Sequence, residues 1–110
     1  MAAAMVISER VLQDIGPWLI AGKVKATFNQ EAYAQGGVPF PNGLEIDLGV
    51  QELLISEPAF DDATNTIVGT IVPSTGYVIL WDINAGIQKA NGVLPAGLVL
   101  VLRYIGRRRG

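Results

Sequence analysis

The stretch Trp18-Leu19-Ile20-Ala21-Gly22-Lys23-Val24-Lys25-Ala26-Thr27-Phe28 repeats with a period of two. Trp18, Ile20, Val24, Ala26 and Phe28 fall on one face, and Lys23, Lys25, Thr27 and the following Asn29 fall on the other. Successive side chains of a strand point to opposite faces, so this pattern predicts a half-buried strand with a wet outer side. Gly22 reads as a bulge within it. Upstream, Gly16-Pro17 ends the preceding element. In that element Val6, Ile7, Val11 and Ile15 fit a helical stripe, while Val11 and Leu12 between polar neighbours fit an edge strand equally well. Residues 1–5 are Ala-rich and read as an N-terminal arm.

Downstream, residues 29–43 form a long connection rich in Gly and Pro, of a length that in small domains is often functional. Leu44, Ile46 and Leu48 then alternate with Glu45 and Asp47 up to Gly49, as in a further strand, and residues 50–56 read as a buried strand closed by Pro58. Residues 66–72 (Thr-Ile-Val-Gly-Thr-Ile-Val) are β-branched and therefore strand-forming. Residues 77–83 alternate, residues 87–90 form a short return strand, and residues 98–105 form a last strand that is apolar on both faces until Arg103. A strand of that kind is covered on both sides. Short strands with turn signals every eight to twelve residues predict one all-β domain, a compact antiparallel sandwich or barrel spanning residues 1–110.

The chain has 110 residues, 50% of them hydrophobic and only 16% charged, against about a quarter in an average protein. Its apolar surface exceeds what so short a domain buries alone, which predicts a homo-oligomer (dimer or trimer) or a docked partner. Cysteine and histidine are both absent. The chain therefore offers no thiolate nucleophile, no imidazole base and no zinc site, so neither an enzyme nor a metal or other cofactor is expected. Formal net charge is −2, yet Arg107, Arg108 and Arg109 cluster at the end, leaving five basic residues against ten acidic ones elsewhere. An acidic body with a basic tail, residues 106–110, does not predict nucleic-acid binding. No apolar run reaches the length of a spanning helix and residues 1–7 lack the basic start of a signal peptide, so a soluble cytoplasmic product is expected.

Asp61, Asp62 and Asn65 lack the spacing of a calcium loop, and Glu45 with Asp47 read as a solvated strand face and not as a catalytic pair. Gly36-Gly37 lacks the Lys and Ser/Thr of a phosphate loop. Trp18, Phe28, Phe40, Phe60, Tyr77 and Trp81 read as core aromatics. Phe40 and Phe60 sit in loops, however, which also makes them candidate interface anchors. With Arg107, Arg108 and Arg109 as contacts to an acidic surface, they complete the expected partner-binding set.

From Tyr33 onward the chain resembles small virion proteins of tailed bacteriophages. The resemblance runs through Tyr33-Ala34-Gln35-Gly36-Gly37-Val38, a Leu-rich segment ending at Gly49, residues 50–55, Gly76-Tyr77-Val78 leading to Trp81-Asp82, Pro95-Ala96-Gly97, and the close on Ile105-Gly106. It covers about two thirds of the chain and leaves out the first strand region. The resemblance implies a capsid decoration (cement or staple) protein, often a jelly-roll-like β fold. Such a protein binds the outside of a phage shell across contacts between major capsid subunits and has no catalytic residue to carry over. The alternatives are a head–tail or tail component of the virion, or a small-ligand-binding β-barrel.

Overall fold

In the computed structural model, residues 3–60, 66–94 and 98–107 are described. The elements are β1 (Met5–Asp14), β2 (Leu19–Phe28), β3 (Ala32–Tyr33), β4 (Val38–Pro39), α1 (Leu44–Leu48) and β5 (Glu52–Ser56). They continue with β6 (Ala59–Phe60), β7 (Ile67–Ile71), β8 (Tyr77–Asp82), β9 (Ile87–Gln88), β10 (Gly92–Val93) and β11 (Val99–Arg107). One sheet has the order β1-β2-β11-β5, a second the order β4-β8-β7-β6 with β9 beside β8, and β3 pairs β10. Every pairing is antiparallel. The two main sheets pack as a sandwich and neither closes, which sets aside the barrel alternative. Among the described residues no helix is long and apolar enough to cross a membrane.

The period of two in β2 is realised directly. Ile20, Val24, Ala26 and Phe28 are buried, and β11 lies beside β2 in unbroken register from Val99 opposite Thr27 to Arg107 opposite Leu19. Leu100 and Leu102 of β11 then join Val24 and Ala26 on the inner face, where they share one core with Val78 and Leu80 of β8 and Ile67 and Ile71 of β7. Each large aliphatic side chain withdrawn from water here contributes roughly 1.5–3 kcal/mol. Two glycines make room for that packing. A Cβ on Gly69 would collide with Leu100, and one on Gly22 would collide with the ring of Tyr104. Gly22 is thus a socket for an aromatic ring on its cross-strand neighbour, and the bulge lies in β1, between Ser8 and Val11.

Several sequence expectations are corrected. Residues 44–48 form a short helix. Leu44 and Leu48 suit an i, i+4 helical pair as well as a period of two, and the flanking residues decide. The Asp47 and Gly49 amides donate to the carbonyls of Gly43 and Glu45, and Gly49 takes the left-handed conformation, φ 75°, that ends helices. Residues 3–5 are no free arm: Ala3 and Met5 are buried, the Ala3 amide donates to the Ala32 carbonyl, and the Asn29 amide donates to that of Ala4. Met1 and Ala2 lie outside the described residues. Gly106 and Arg107 of the expected tail belong to β11, and Arg108, Arg109 and Gly110 lie outside the described residues.

The aromatics are also redistributed. Trp18 is 53% exposed, Tyr77 40% and Trp81 39%, whereas Tyr33 and Tyr104 are buried beside Phe28 and Phe40. A phenol can be buried when its hydroxyl finds a partner, and both do. Tyr33 fills the gap along β8 between β4 and β9, where its Oη accepts from the Leu80 amide (3.1 Å) and from Gln88 Nε2 (3.0 Å). Tyr104 Oη donates to the Leu48 carbonyl at 2.6 Å, at the end of α1 where carbonyls lack helical partners.

Two outcomes follow. Gly22→Ala forces the Tyr104 ring off its seat and lowers stability by about 1–3 kcal/mol in a denaturant titration. Burial pushes the Tyr104 hydroxyl from 10.0 up to about 12, with nearby Arg10 opposing the shift. Above pH 10 the unfolded chain therefore holds fewer protons than the folded one, and stability falls as pH rises through this range. In Tyr104→Phe that part of the decline disappears.

Candidate protein-binding face

The inner face of β11 is filled, but its outer face is bare. Val99, Val101, Arg103 and Ile105 alternate with the buried Leu100, Leu102 and Tyr104 and so face away from the core, with Val101 37% exposed. The register sets their neighbours in rows across the sheet. Ser8, Lys25 and Val101 form one row, Val11, Lys23 and Arg103 the next, and Gln13, Ala21, Ile105 and Ile55 the third. Val11 and Ile55 are 58% and 61% exposed. Between the rows runs an open groove of about 350 Å³, lined by Val11, Ala21, Ile55 and Ile105 together with Lys23, Arg103 and Glu57.

Charge is distributed unevenly on this face. Lys25 pairs with Glu9 at 3.2 Å, and Arg107 pairs with Glu52 at 3.8 Å on the margin. Glu9 reaches Lys25 from the β1 bulge, where it holds φ 52°, an uncommon conformation for a residue with a Cβ. Lys23 and Arg103 stand directly opposite each other, and among the described residues neither has a carboxylate within ion-pair distance. Like charges in directly opposed positions destabilise a sheet. The centre of the groove therefore holds two cations without an ion-pair partner among the described residues, set among Val11, Ala21, Ile55 and Ile105 with Glu57 on its lining. Its chemistry suits a carboxylate set among apolar side chains.

Of the residues expected to bind a partner, Phe40 and Arg107 have described side chains. Phe40 is 6% exposed and belongs to the core, so its ring is not free to anchor anything. Its loop folds back because Val38 and Phe40 complete the apolar layer beneath β8. Phe60 pairs with Val68 through its backbone, and its side chain lies outside the described residues, as do Arg108 and Arg109. Arg107 is exposed at the edge of the bare face. Glu45 and Asp47 are not a paired strand face: Glu45 accepts from Gln51 Nε2 (3.2 Å), and Asp47 accepts from the Asn42 amide (2.9 Å) and Nδ2 (3.1 Å). Asp61, Asp62 and Asn65 lie outside the described residues. Among the described residues no group of three or more acidic side chains is placed to hold a metal ion.

Sequence reasoning treated Lys23 and Lys25 as a solvated side and did not single out Val11, Ile55 or Arg103. The signal was present in the doubly apolar run of residues 98–102, whose second face is the open one. No protein-family model matches the chain, and no curated protein and no solved structure matches it either.

Removing the charge at position 103 should relieve the opposition with Lys23. Arg103→Gln is expected to stabilise the isolated protein by about 0.2–1 kcal/mol, with a gain that shrinks as salt rises. Equal or lower stability at low salt would contradict the electrostatic reading of this face.

Proposed function

We propose that the protein is a non-enzymatic structural module that docks an acidic surface of another protein onto the outer face of the sheet β1-β2-β11-β5. The observation that carries this is the opposed Lys23–Arg103 pair, without an ion-pair partner among the described residues, in a groove lined by Val11, Ala21, Ile55 and Ile105 with Glu57 beside them. A partner carboxylate between the two cations converts a repulsion into charge-assisted hydrogen bonds. The aliphatic frame excludes water and supplies the apolar contact. With the resemblance to small phage virion proteins, the partner is the major capsid protein of a tailed phage, and the chain is a decoration protein on the shell's outer surface. A clamp of this kind strengthens the shell by mass action, because it binds joined subunits better than separate ones.

Titration onto undecorated shells tests the assignment. The wild-type chain saturates a fixed number of sites, and binding weakens as salt rises. Lys23→Glu or Arg103→Glu weakens binding at least tenfold, about 1.4 kcal/mol or more. Removal of residues 107–110 has a modest effect, since exposed ion pairs contribute only about 0–1 kcal/mol each. Saturation unchanged by both charge reversals would overturn the proposed face, and absence of binding to any phage shell would overturn the capsid assignment.

A further inference from the structure

The groove on β1-β2-β11-β5 carries its charges and its apolar side chains in separate rows. Val11, Lys23 and Arg103 stand side by side across three strands, and the Glu57 amide donates to the Arg103 carbonyl at 3.0 Å, which continues that row past β11. The next row on the same face, two residues along the strands, is Gln13, Ala21, Ile105 and Ile55, with no charge among them. At about 3.4 Å per residue the two rows lie about 7 Å apart. Ala21 sets only a methyl between Gln13 and Ile105, which leaves open space in its row. Of the charged side chains, Lys23 and Arg103 against Glu57 leave the lining a net charge of +1. Lys25, in the row beyond, is already paired with Glu9 at 3.2 Å. The volume of about 350 Å³ falls within the range of small-ligand sites, about 300–1,000 Å³.

We infer that this groove binds a free aliphatic monocarboxylate, its carboxylate at Lys23 and Arg103 and its stem along Ala21, Ile105 and Ile55, in place of the carboxylate of a docked protein. The inference rests on the reading that the cation pair receives a carboxylate, and it adds what the rest of the ligand must be. One negative charge brings the lining to neutrality. A second charge at the far end of the stem would lie in the uncharged row and lose hydration without a cation to meet it. The guanidinium offers a fork that matches a carboxylate, and the ammonium adds a point charge opposite it. A stem that reaches the next row covers Ile55, which is 61% exposed, and apolar area withdrawn from water is favourable in proportion to its extent. A short acid meets only the cations, in an exposed ion pair that contributes little. A neutral molecule of the same length meets only the apolar row and leaves the two cations opposed. Because both ligands use the same two cations, a bound monocarboxylate excludes the acidic partner surface.

Octanoate, titrated into the full chain by calorimetry with amide shifts followed by NMR, tests this. One site per chain is expected, with shifts centred on residues 21–23, 55–57 and 103–105. Octanamide, which keeps the stem without the charge, and acetate, which keeps the charge without the stem, should each bind at least tenfold more weakly. Octanedioate should also bind more weakly than octanoate. Arg103→Gln and Lys23→Gln should each weaken octanoate at least fivefold while the circular dichroism of the chain is unchanged. The inference is overturned by the absence of saturable octanoate binding, by octanamide binding as tightly as octanoate, or by octanoate affinity unchanged in both charge variants. Undecorated shells separate this from the docking assignment. Octanoate binding by a chain that ignores shells supports the inference and overturns only the capsid partner. Shell binding that saturating octanoate does not displace overturns the inference and leaves the docking assignment standing.

Discussion

Tyr104 lies across Gly22 on the neighbouring strand and donates its hydroxyl to the carbonyl of Leu48, and much of the molecule is organised around that contact. It joins three parts of the chain that are distant in sequence: the second strand, the last strand and the end of the helix. The missing Cβ at Gly22 lets the ring lie flat on the sheet, while the helix supplies an acceptor that its own hydrogen bonds leave free. Arg10 donates to the Ile46 carbonyl, so two carbonyls of the short helix are held by side chains from the sheet. A further close approach sits nearby, where a Cβ on Gly106 would come within 2.6 Å of Val50 Cβ. Glycines in strand interiors usually weaken a sheet. Here they are the condition for close packing against bulky partners.

The placement of charge explains why so few charged residues suffice. The acidic side chains of Asp47 and Glu45 are tied into the turn and helix, and Glu9 and Glu52 neutralise cations at the margins of one face. On the outer face of β1-β2-β11-β5 the opposed Lys23 and Arg103 have no ion-pair partner among the described residues, whereas Tyr77, Ile79 and Trp81 alternate along β8 on the other sheet. A protein needing only solubility would scatter its charges. Concentrating them on one face and withholding them from the other costs stability and solubility in isolation.

The sequence could be read closely where one physical rule acted alone. The strand at residues 19–28 was legible because its burial follows strict alternation, and the β-branched run at 67–71 because no competing pattern overlapped it. Reading failed where two rules fitted the same residues. Leu44 and Leu48 satisfy both periods, and the Gly43–Gly49 frame selects the helix. The aromatics failed for another reason. Whether a ring is inside depends on a partner for its polar atom, and the partners of Tyr33 and Tyr104 lie 47 and 56 positions away in sequence.

By itself, then, the sequence determined the all-β class, the strands β2, β7 and β8 to within a residue or so and which side of β2 is buried, because these follow from local alternation and turn chemistry. It also determined that the chain carries no cysteine or histidine chemistry, since composition alone decides that. Only the tertiary structure decided that Phe40 is core and Trp81 surface, and that residues 3–5 are stitched to the segment after β2. It also placed Lys23 opposite Arg103, residues 80 positions apart in the chain. That pairing arises because β11 returns to lie beside β2. Long-range register of this kind is set by which apolar faces must meet in the core, a constraint that no local stretch of sequence contains.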